Sequence, residues 1–138
     1  MAIVGTVSGT SISFGTATVY KSAELRTLGA AYATNSSTSA VIYRLDSNDT
    51  VKAVAGTVSG TGISFGSEES VYNSATTGDG DLVFGTEITG LSARGLAFIS
   101  TSSGIYSTTV VTSGTNIYAY SSTQISSSAG YSLAGTFE

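Results

Sequence analysis

Residues 5–15 read GTVSGTSISFG, and residues 56–66 read GTVSGTGISFG. Ten of the eleven positions agree at an offset of 51, and the one exception places Ser11 against Gly62. Chance similarity in a chain rich in serine, threonine and glycine does not explain agreement at this level. The sequence therefore predicts a structural unit that occurs at least twice in the chain.

The repetition continues outside this phrase. Downstream segments pair 19–23 with 71–75 at an offset of 52, 29–34 with 81–86, and 41–43 with 96–98. A more divergent third copy is indicated by SGTNI at 113–117, which repeats SGTSI at 8–12. The chain thus holds about two and three-quarter units of 51 to 54 residues, with approximate bounds 2–52, 53–108 and 109–138.

Each unit has the pattern of antiparallel β-structure. Apolar and small polar residues alternate in segments such as 3–7 and 12–14, which are bounded by turn-forming residues. We predict hairpin tips at Ser8-Gly9, Ser59-Gly60 and Ser113-Gly114, because a two-residue loop needs glycine where φ is positive. About eleven strands are expected. Segment 22–33 has a helical composition, but its counterpart is rich in Gly and Asp, so we expect one helical turn there at most.

Repeated units of about four strands and 50 residues are typical of propeller blades. Fewer than three such units are too few to close a propeller. We therefore predict a single all-β domain over residues 1–138, either a β-sandwich or an incomplete propeller that oligomerisation closes or covers. The third copy lacks a counterpart of 41–43, and the sheet edge left open in this way favours a homo-oligomer.

The composition excludes several classes of function. The 138 residues contain no Cys, His, Pro or Trp, and only 10% are charged. No disulfide, Cys/His zinc site or histidine-based nucleophile is then possible. The net charge of −4 argues against a nucleic-acid partner. No apolar run is long enough to insert into a membrane, and the N-terminus lacks a signal-peptide pattern, so we expect synthesis in the cytoplasm without export.

Two pairs of aspartates lie in predicted turns. Asp46 and Asp49 flank Ser-Asn, and Asp79 and Asp81 flank a glycine. Carboxylates in such loops can ligate Ca²⁺, but neither pair has the spacing of an EF-hand loop, and Asx turns explain both better. We predict no metal site and no cofactor.

Catalytic arrangements are also weakly supported. Glu68 and Glu69 are adjacent, so in a strand they point to opposite faces and cannot form the carboxylate pair of a glycosidase. The glycine-rich phrase lacks the Lys-Ser/Thr of a phosphate-binding loop and opens a strand instead of a helix. We predict that the chain is not an enzyme.

The residues predicted to form an interaction surface are Tyr106, Tyr118, Tyr120, Tyr131, Arg44 and Arg94. The tyrosines are concentrated in the third copy, and Tyr118 and Tyr120 share one face of a strand. Tyrosine rings can stack on sugars, and the alternative is that they pack across strands. The two arginines are candidates for ion pairs with a neighbouring protein, against the alternative of a solvated surface.

The phrase at 5–15, followed by a short strand and a Lys-Ser-Ala turn, resembles repeats of tailed-bacteriophage virion proteins, mostly fibre and adhesin-like proteins. The resemblance covers 2–23 and 53–75. It departs from that pattern after the Phe-Gly pair, where such repeats often carry proline and this chain has none. The resemblance implies a structural protein at the surface of a virion.

A tail fibre is expected to carry an N-terminal anchor and a long shaft, whereas this sequence starts inside its first repeat. We therefore expect a capsid decoration or cement protein that binds capsid protein as a homo-oligomer, with a trimer favoured. The alternative is a tail-fibre or receptor-binding component that binds a tail protein and recognises a glycan or protein of the host surface.

Overall fold

The computed structural model of the chain describes residues 1–33, 37–74, 78–85 and 93–128. These residues form twelve strands and no helix, and every strand pairing is antiparallel. The strands are β1 (Gly5–Ser8), β2 (Ser11–Phe14), β3 (Leu25–Ala33), β4 (Thr38–Leu45), β5 (Val51–Ser59), β6 (Gly62–Phe65), β7 (Glu69–Tyr72), β8 (Gly80–Phe84), β9 (Ala93–Thr101), β10 (Gly104–Ser113), β11 (Asn116–Ala119) and β12 (Thr123–Ser126). The predicted all-β class with antiparallel strands is confirmed.

The strands form three sheets in chain order. The first sheet is the hairpin β1–β2, which a bridge between Ala2 and Thr18 extends. The second sheet has the order β3-β4-β5-β6, and the third has the order β8-β9-β10-β11. Strand β7 also pairs with β5, and β12 also pairs with β10. Each five-stranded sheet therefore joins the end of one sequence unit to the start of the next, and none of the three described sheets closes into a barrel.

The three hairpins share one turn geometry. Gly9, Gly60 and Gly114 have φ of 59°, 58° and 58°. The threonine after each glycine does not have a positive φ, so the turns follow the type II′ pattern, with glycine at the first central position. Because Ser8 pairs with Ser11, the two-residue loops are Gly-Thr, and each predicted tip is displaced by one residue along the chain.

Backbone pairing aligns the first two units at a constant offset of 51 through their third strand. Ala2 pairs with Thr18 as Ala53 pairs with Glu69. The predicted match of 19–23 with 71–75 lies beyond this pair, next to a β-bulge at Val71 in the second unit, and stays a prediction.

The alignment of β4 with β9, the strands that precede the second and third hairpins, differs from the predicted one by one residue. Lys52 and Tyr106 occupy the same place beside a β-bulge, opposite Tyr43 and Ile99 respectively. Segment 41–43 therefore corresponds to 97–99, and the predicted match with 96–98 is wrong. A slip of one residue matters because it exchanges the two faces of a strand.

The segment with helical composition is a strand. Residues Leu25–Ala33 form β3, and eight of their pairs with β4 are regular apart from one bulge near Gly29. The expected helical turn is absent from the described part of 22–33. Alanine and leucine tolerate a strand when the paired strand and the core favour it, because tertiary packing overrides weak local propensity.

The main core lies between the second and third sheets. The second sheet contributes one face of β4, β5 and β7, and the third contributes one face of β8 to β11. These buried side chains are Ala40, Ile42, Val51, Ala53, Ala55, Val71, Leu82, Ala97, Ile99, Val110 and Ile117. Two sheets that bury alternating residues against each other form a sandwich-like pair.

A smaller core lies on the opposite face of the second sheet. Tyr20, which follows the first hairpin, packs on this core. Its buried side chains are Val41, Tyr43, Leu45 and Val54. The second sheet therefore buries side chains on both faces. This places the three sheets as successive layers, with the five-stranded second sheet in the middle.

Candidate interaction surface

Two glycines receive the hairpin tip of the following unit. A Cβ at Gly15 would overlap the carbonyl oxygen of Thr61, and a Cβ at Gly66 would overlap that of Thr115. Both glycines end the phrase that the repeats share. Only glycine leaves room for a backbone this close, so the same contact joins layer one to layer two and layer two to layer three.

Side-chain hydrogen bonds reinforce the second junction. The buried hydroxyl of Thr38 donates to the carbonyl oxygen of Gly114 at 3.3 Å. Ser122 donates to the carbonyl oxygen of Val71 at 3.3 Å and lies 2.6 Å from the hydroxyl of Thr108. Small hydroxyl side chains therefore satisfy backbone carbonyls between layers, where a larger side chain would separate the sheets.

The outer side of the first sheet carries a continuous set of exposed apolar side chains. Strand alternation and the pairing of β1 with β2 put them on one face. We call this surface the N-terminal face; its members are Met1, Ile3, Val7, Ile12, Phe14 and Val19, all at least half exposed. The sequence did not reveal it, because alternation marks an apolar face without showing whether another sheet covers that face.

A groove of about 420 Å³ lies between the first and second sheets. Residues of the N-terminal segment, including Ala2 and Val4, form one side, and Tyr32, Val41 and Phe65 lie on the other. Its lining is mainly aliphatic and aromatic and carries no charged side chain. The groove marks incomplete packing between layers one and two.

Tyr118 and Tyr120 lie on the outer side of the third sheet. Their side chains are 51% and 61% exposed, whereas Ile117 between the sheets is buried. The backbone N–H of Tyr120 donates to the carbonyl oxygen of Thr109 at 3.0 Å, which continues the β10–β11 ladder by one residue. The two tyrosines therefore share one face, two residues apart.

Arg94 belongs to the same surface. It lies opposite Val111 on β10, and Val111 lies opposite Tyr118 on β11. The three residues thus occupy one row across adjacent strands, on the outer side of the sheet. The structure brings together Arg94, Tyr118 and Tyr120 of the predicted interaction residues.

The remaining predicted residues lie elsewhere. Tyr106 faces the second sheet, where its ring centroid is 5.0 Å from that of Tyr72. Burial and the hydrogen bond with Tyr106 raise the pKa of Tyr72. Tyr131 lies outside the described residues.

Arg44 forms ion pairs with the turn between β4 and β5. Its Nη2 is 3.8 Å from Oδ1 of Asp46, and its Nε is 3.4 Å from Oδ1 of Asp49. Asn48 Oδ1 accepts hydrogen bonds from the Thr50 N–H at 3.2 Å and from its hydroxyl at 2.7 Å. The aspartates considered as calcium ligands therefore pair with an arginine in an Asx-type turn.

The second aspartate pair forms no cluster with other acidic residues in the part of the chain that the structure describes. Asp81 lies inside β8, and its Oδ1 accepts a hydrogen bond from the Leu82 N–H at 2.8 Å. The carbonyl oxygen of Asp79 accepts one from the Ser100 N–H at 2.9 Å. In the described residues no group of three or more acidic side chains is placed to hold a metal ion.

A polar network joins the first unit to the second. Glu68 Oε2 accepts hydrogen bonds from Lys21 Nζ at 2.7 Å and from the hydroxyl of Tyr43 at 2.9 Å. The Lys21 hydrogen bond is the main cause that lowers the pKa of Glu68, and burial is the main cause that raises the pKa of Tyr43. Glu68 is thus a partner of a buried tyrosine, a role that the sequence did not indicate.

These features are surfaces and junctions between layers. Over the described residues, no helix is long and apolar enough to cross a membrane. No protein-family model, no curated protein and no solved structure matches the chain.

Proposed function

We propose that this chain is a structural protein of a tailed-bacteriophage virion, and that it decorates the capsid and stabilises the head against internal DNA pressure. It would bind capsid protein at the particle surface as a homo-oligomer, with a trimer matching three-fold positions of the shell. The proposal starts from the resemblance of GTVSGTSISFG to repeats of such virion proteins.

The observation that supports this role best is the N-terminal face. Three of its six side chains belong to β1 and β2, the other three lie next to the Ala2–Thr18 bridge, and all six expose half or more of their surface. Exposed apolar sets of this size mark interaction sites in soluble proteins. Such a face is suited to contact with another protein surface, such as a second copy in the proposed homo-oligomer.

The contacts between layers two and three support a role in resisting pressure. A glycine–carbonyl contact and the main apolar core lie at this junction. Close packing of this kind makes a protein interior resistant to compression. These two sheets are therefore suited to transmit force.

The test compares virions that contain the protein with virions that lack it. We expect the particles without it to release DNA at a lower temperature, and adding the purified protein back to restore the release temperature. Equal release temperatures with the protein bound to heads would contradict the stabilising role. Labelling of tails instead of heads by a specific antibody would contradict decoration of the capsid.

The alternative proposal is a receptor-binding or tail-fibre component. The observation that favours it is the row of Arg94 and Tyr118 beside Tyr120 on one exposed face, since aromatic rings and a cation suit sugar recognition. Binding to host glycans in an array, lost in Tyr118→Ser and Tyr120→Ser but retained in Tyr106→Phe, would support it. Absence of binding to glycans and host cells would contradict it.

The propeller-like arrangement also stays a proposal. The units are blade-sized, and oligomerisation could bring several of them around one axis. Electron microscopy of the assembled oligomer tests this arrangement: a ring of sheets around a central channel supports it, and a linear or two-body particle contradicts it.

A further inference from the structure

The N-terminal face carries no charged side chain. Residues 1–20 contain no Asp, Glu, Lys or Arg, although the whole chain has a net charge of −4. Apart from the α-ammonium group of Met1, two copies of the chain can therefore bring these faces together without opposing like charges. An uncharged apolar face gains from contact with another apolar face in proportion to the area removed from water.

Part of the same face is interior in the second layer. Ile3 and Phe14 correspond to Val54 and Phe65 at the offset of 51. Ile3 is 50% exposed, whereas Val54 is 1% exposed and Phe65 is half-buried under the cover of the first layer. Towards the hairpin tip the cover decreases, since Val58, the counterpart of Val7, is 38% exposed. This chain thus already uses the base of the surface as one side of a sheet-to-sheet core, and in the N-terminal face no described residue covers it.

The opposite end of a second copy does not fit this face in the way that layers fit within the chain. Gly15, Gly66 and Tyr120 make equivalent backbone hydrogen bonds, to the carbonyl oxygens of Val4, Ala55 and Thr109. In a continued stack, the tip of the next copy would meet Tyr120 where both earlier tips meet glycine. A Cβ at Gly15 or Gly66 would overlap the tip, and Tyr120 carries a Cβ, so head-to-tail stacking in the geometry of the two earlier junctions is excluded.

We infer that the N-terminal faces of two copies bind each other, face to face, around a two-fold axis. A two-fold contact uses the same patch on both chains and closes on itself, so it does not grow into a fibre. This pair is the unit we expect for the purified chain in solution, and the proposed trimer would then form only on the capsid. The inference does not depend on the virion role, because it concerns the purified chain alone.

The first test compares two neighbouring substitutions by analytical ultracentrifugation. Ile12→Asp puts a carboxylate in the N-terminal face, and Ser11→Asp puts one on the opposite side of the same strand. Both side chains are exposed in the single chain, so both variants are expected to fold. We expect a dimer for the parent and for Ser11→Asp, and a dissociation constant about 100-fold or more higher for Ile12→Asp, because an unpaired charge is costly to bury.

The second test measures the symmetry of the contact. The chain has no cysteine, so single variants report one position each. With a short thiol-reactive cross-linker, Val7→Cys is expected to give covalent dimers and nothing larger, whereas Ser11→Cys gives far fewer. Circular dichroism of each variant checks that the β-structure is retained.

Three results would overturn the inference. One is a parent chain that stays monomeric at every concentration; another is a trimer or an open series of oligomers. The third is a dimer that Ile12→Asp and Ser11→Asp weaken equally. None of these results bears on heat release of DNA from virions, so failure of the dimer and failure of the virion role can be told apart.

Discussion

The first and second hairpins have nearly the same sequence and different surroundings. GTVSGTSISFG and GTVSGTGISFG both form a two-stranded antiparallel hairpin with a positive-φ glycine at the tip. In the first hairpin every strand residue is exposed, whereas β5 continues into the buried middle of the second sheet. Local sequence therefore specifies the hairpin, whereas the neighbouring layers set what the hairpin contributes to stability.

The aromatic residue of the phrase shows this most clearly. Phe14 lies over Gly5, and Phe65 lies over Gly56, so both rings cover the glycine opposite them. Phe65 also packs on Tyr20, with ring centroids 5.6 Å apart. The phenylalanine of the first hairpin thus contacts its own hairpin and stays exposed, whereas that of the second hairpin makes the same contact and also joins a core.

The largest effect is expected from Gly66→Ala. The added Cβ overlaps the Thr115 carbonyl oxygen and forces layers two and three apart, so we expect a loss of roughly 3 kcal/mol in the free energy of unfolding, at the upper end for overpacked sites. Urea denaturation measures it. Gly62→Ala is the matched control, since its Cβ would meet only the Ser59 carbonyl oxygen at 3.6 Å, and Ser11 already occupies that place in the first hairpin.

A smaller loss at Gly66 than at Gly62 would show that the tip contact does not hold the layers together. Gly15→Ala makes the same change at the first junction. We expect it to release the first hairpin with little effect on the midpoint of the main unfolding transition, because the main core lies between the other two sheets. Hydrogen exchange of β1 and β2 amides reports that local release.

Phe65→Ala and Phe14→Ala make the same change in the two hairpins. We expect a loss of about 2 kcal/mol for Phe65→Ala, below the range for fully buried rings because Phe65 is half-buried. For Phe14→Ala we expect less than about 0.5 kcal/mol, as is usual for surface positions. Thermal unfolding at concentrations where the chain is monomeric compares them, and equal losses would contradict the layered arrangement.

Tyr43→Phe tests the polar link between the units. The first unit has Ala17 at the position that corresponds to Glu68 of the second unit. The carboxylate that accepts these hydrogen bonds therefore has no equivalent in the first unit. Removing the hydroxyl takes one hydrogen bond from Glu68 but leaves Lys21 in place, and we expect a loss of about 1 kcal/mol. Denaturation of Tyr43→Phe beside Tyr20→Phe separates loss of the hydroxyl from general effects on the aromatic cluster.

The smallest effect is the pH dependence of the same link. Hydrogen bonds from Lys21 and Tyr43 lower the pKa of Glu68 from its ordinary value of 4.5. A lowered folded-state pKa stabilises the protein above the unfolded value, and the contribution disappears as the pH falls through the folded value. The parent should therefore exceed Glu68→Gln in stability at neutral pH, and the difference should shrink below about pH 4.5.

Because Glu68 is partly exposed, the difference is expected to be small and to decrease with added salt. The measurement is the urea midpoint of both proteins between acid and neutral pH. A difference that grows on acidification would contradict the assigned direction of the pKa.

Much of the local structure could be predicted from the sequence. The repeat, the all-β class, the three hairpins and the turn at 46–49 follow from alternation, from glycine or aspartate at positions with positive φ, and from the Asx turn of Asn48. Segment 22–33 shows the limit of such reasoning, because its composition is helical and its pairing with β4 makes it a strand. The one-residue error in aligning 41–43 has a related cause: Tyr43 and Lys52, which pair, are nine positions apart, whereas Ile99 and Tyr106 are seven apart, and this difference in turn length leaves no mark in composition.

Local sequence sets where the chain turns and which residues alternate, because those properties depend on neighbours within a few positions. The packing of the layers establishes that Gly15 and Gly66 receive the next hairpin, and that Tyr120 lies at the equivalent place without doing so. It also decided that Val54 is buried while Ile3 is exposed. Burial depends on which layer comes next, and that information lies about 50 residues away along the chain, beyond the reach of any local pattern.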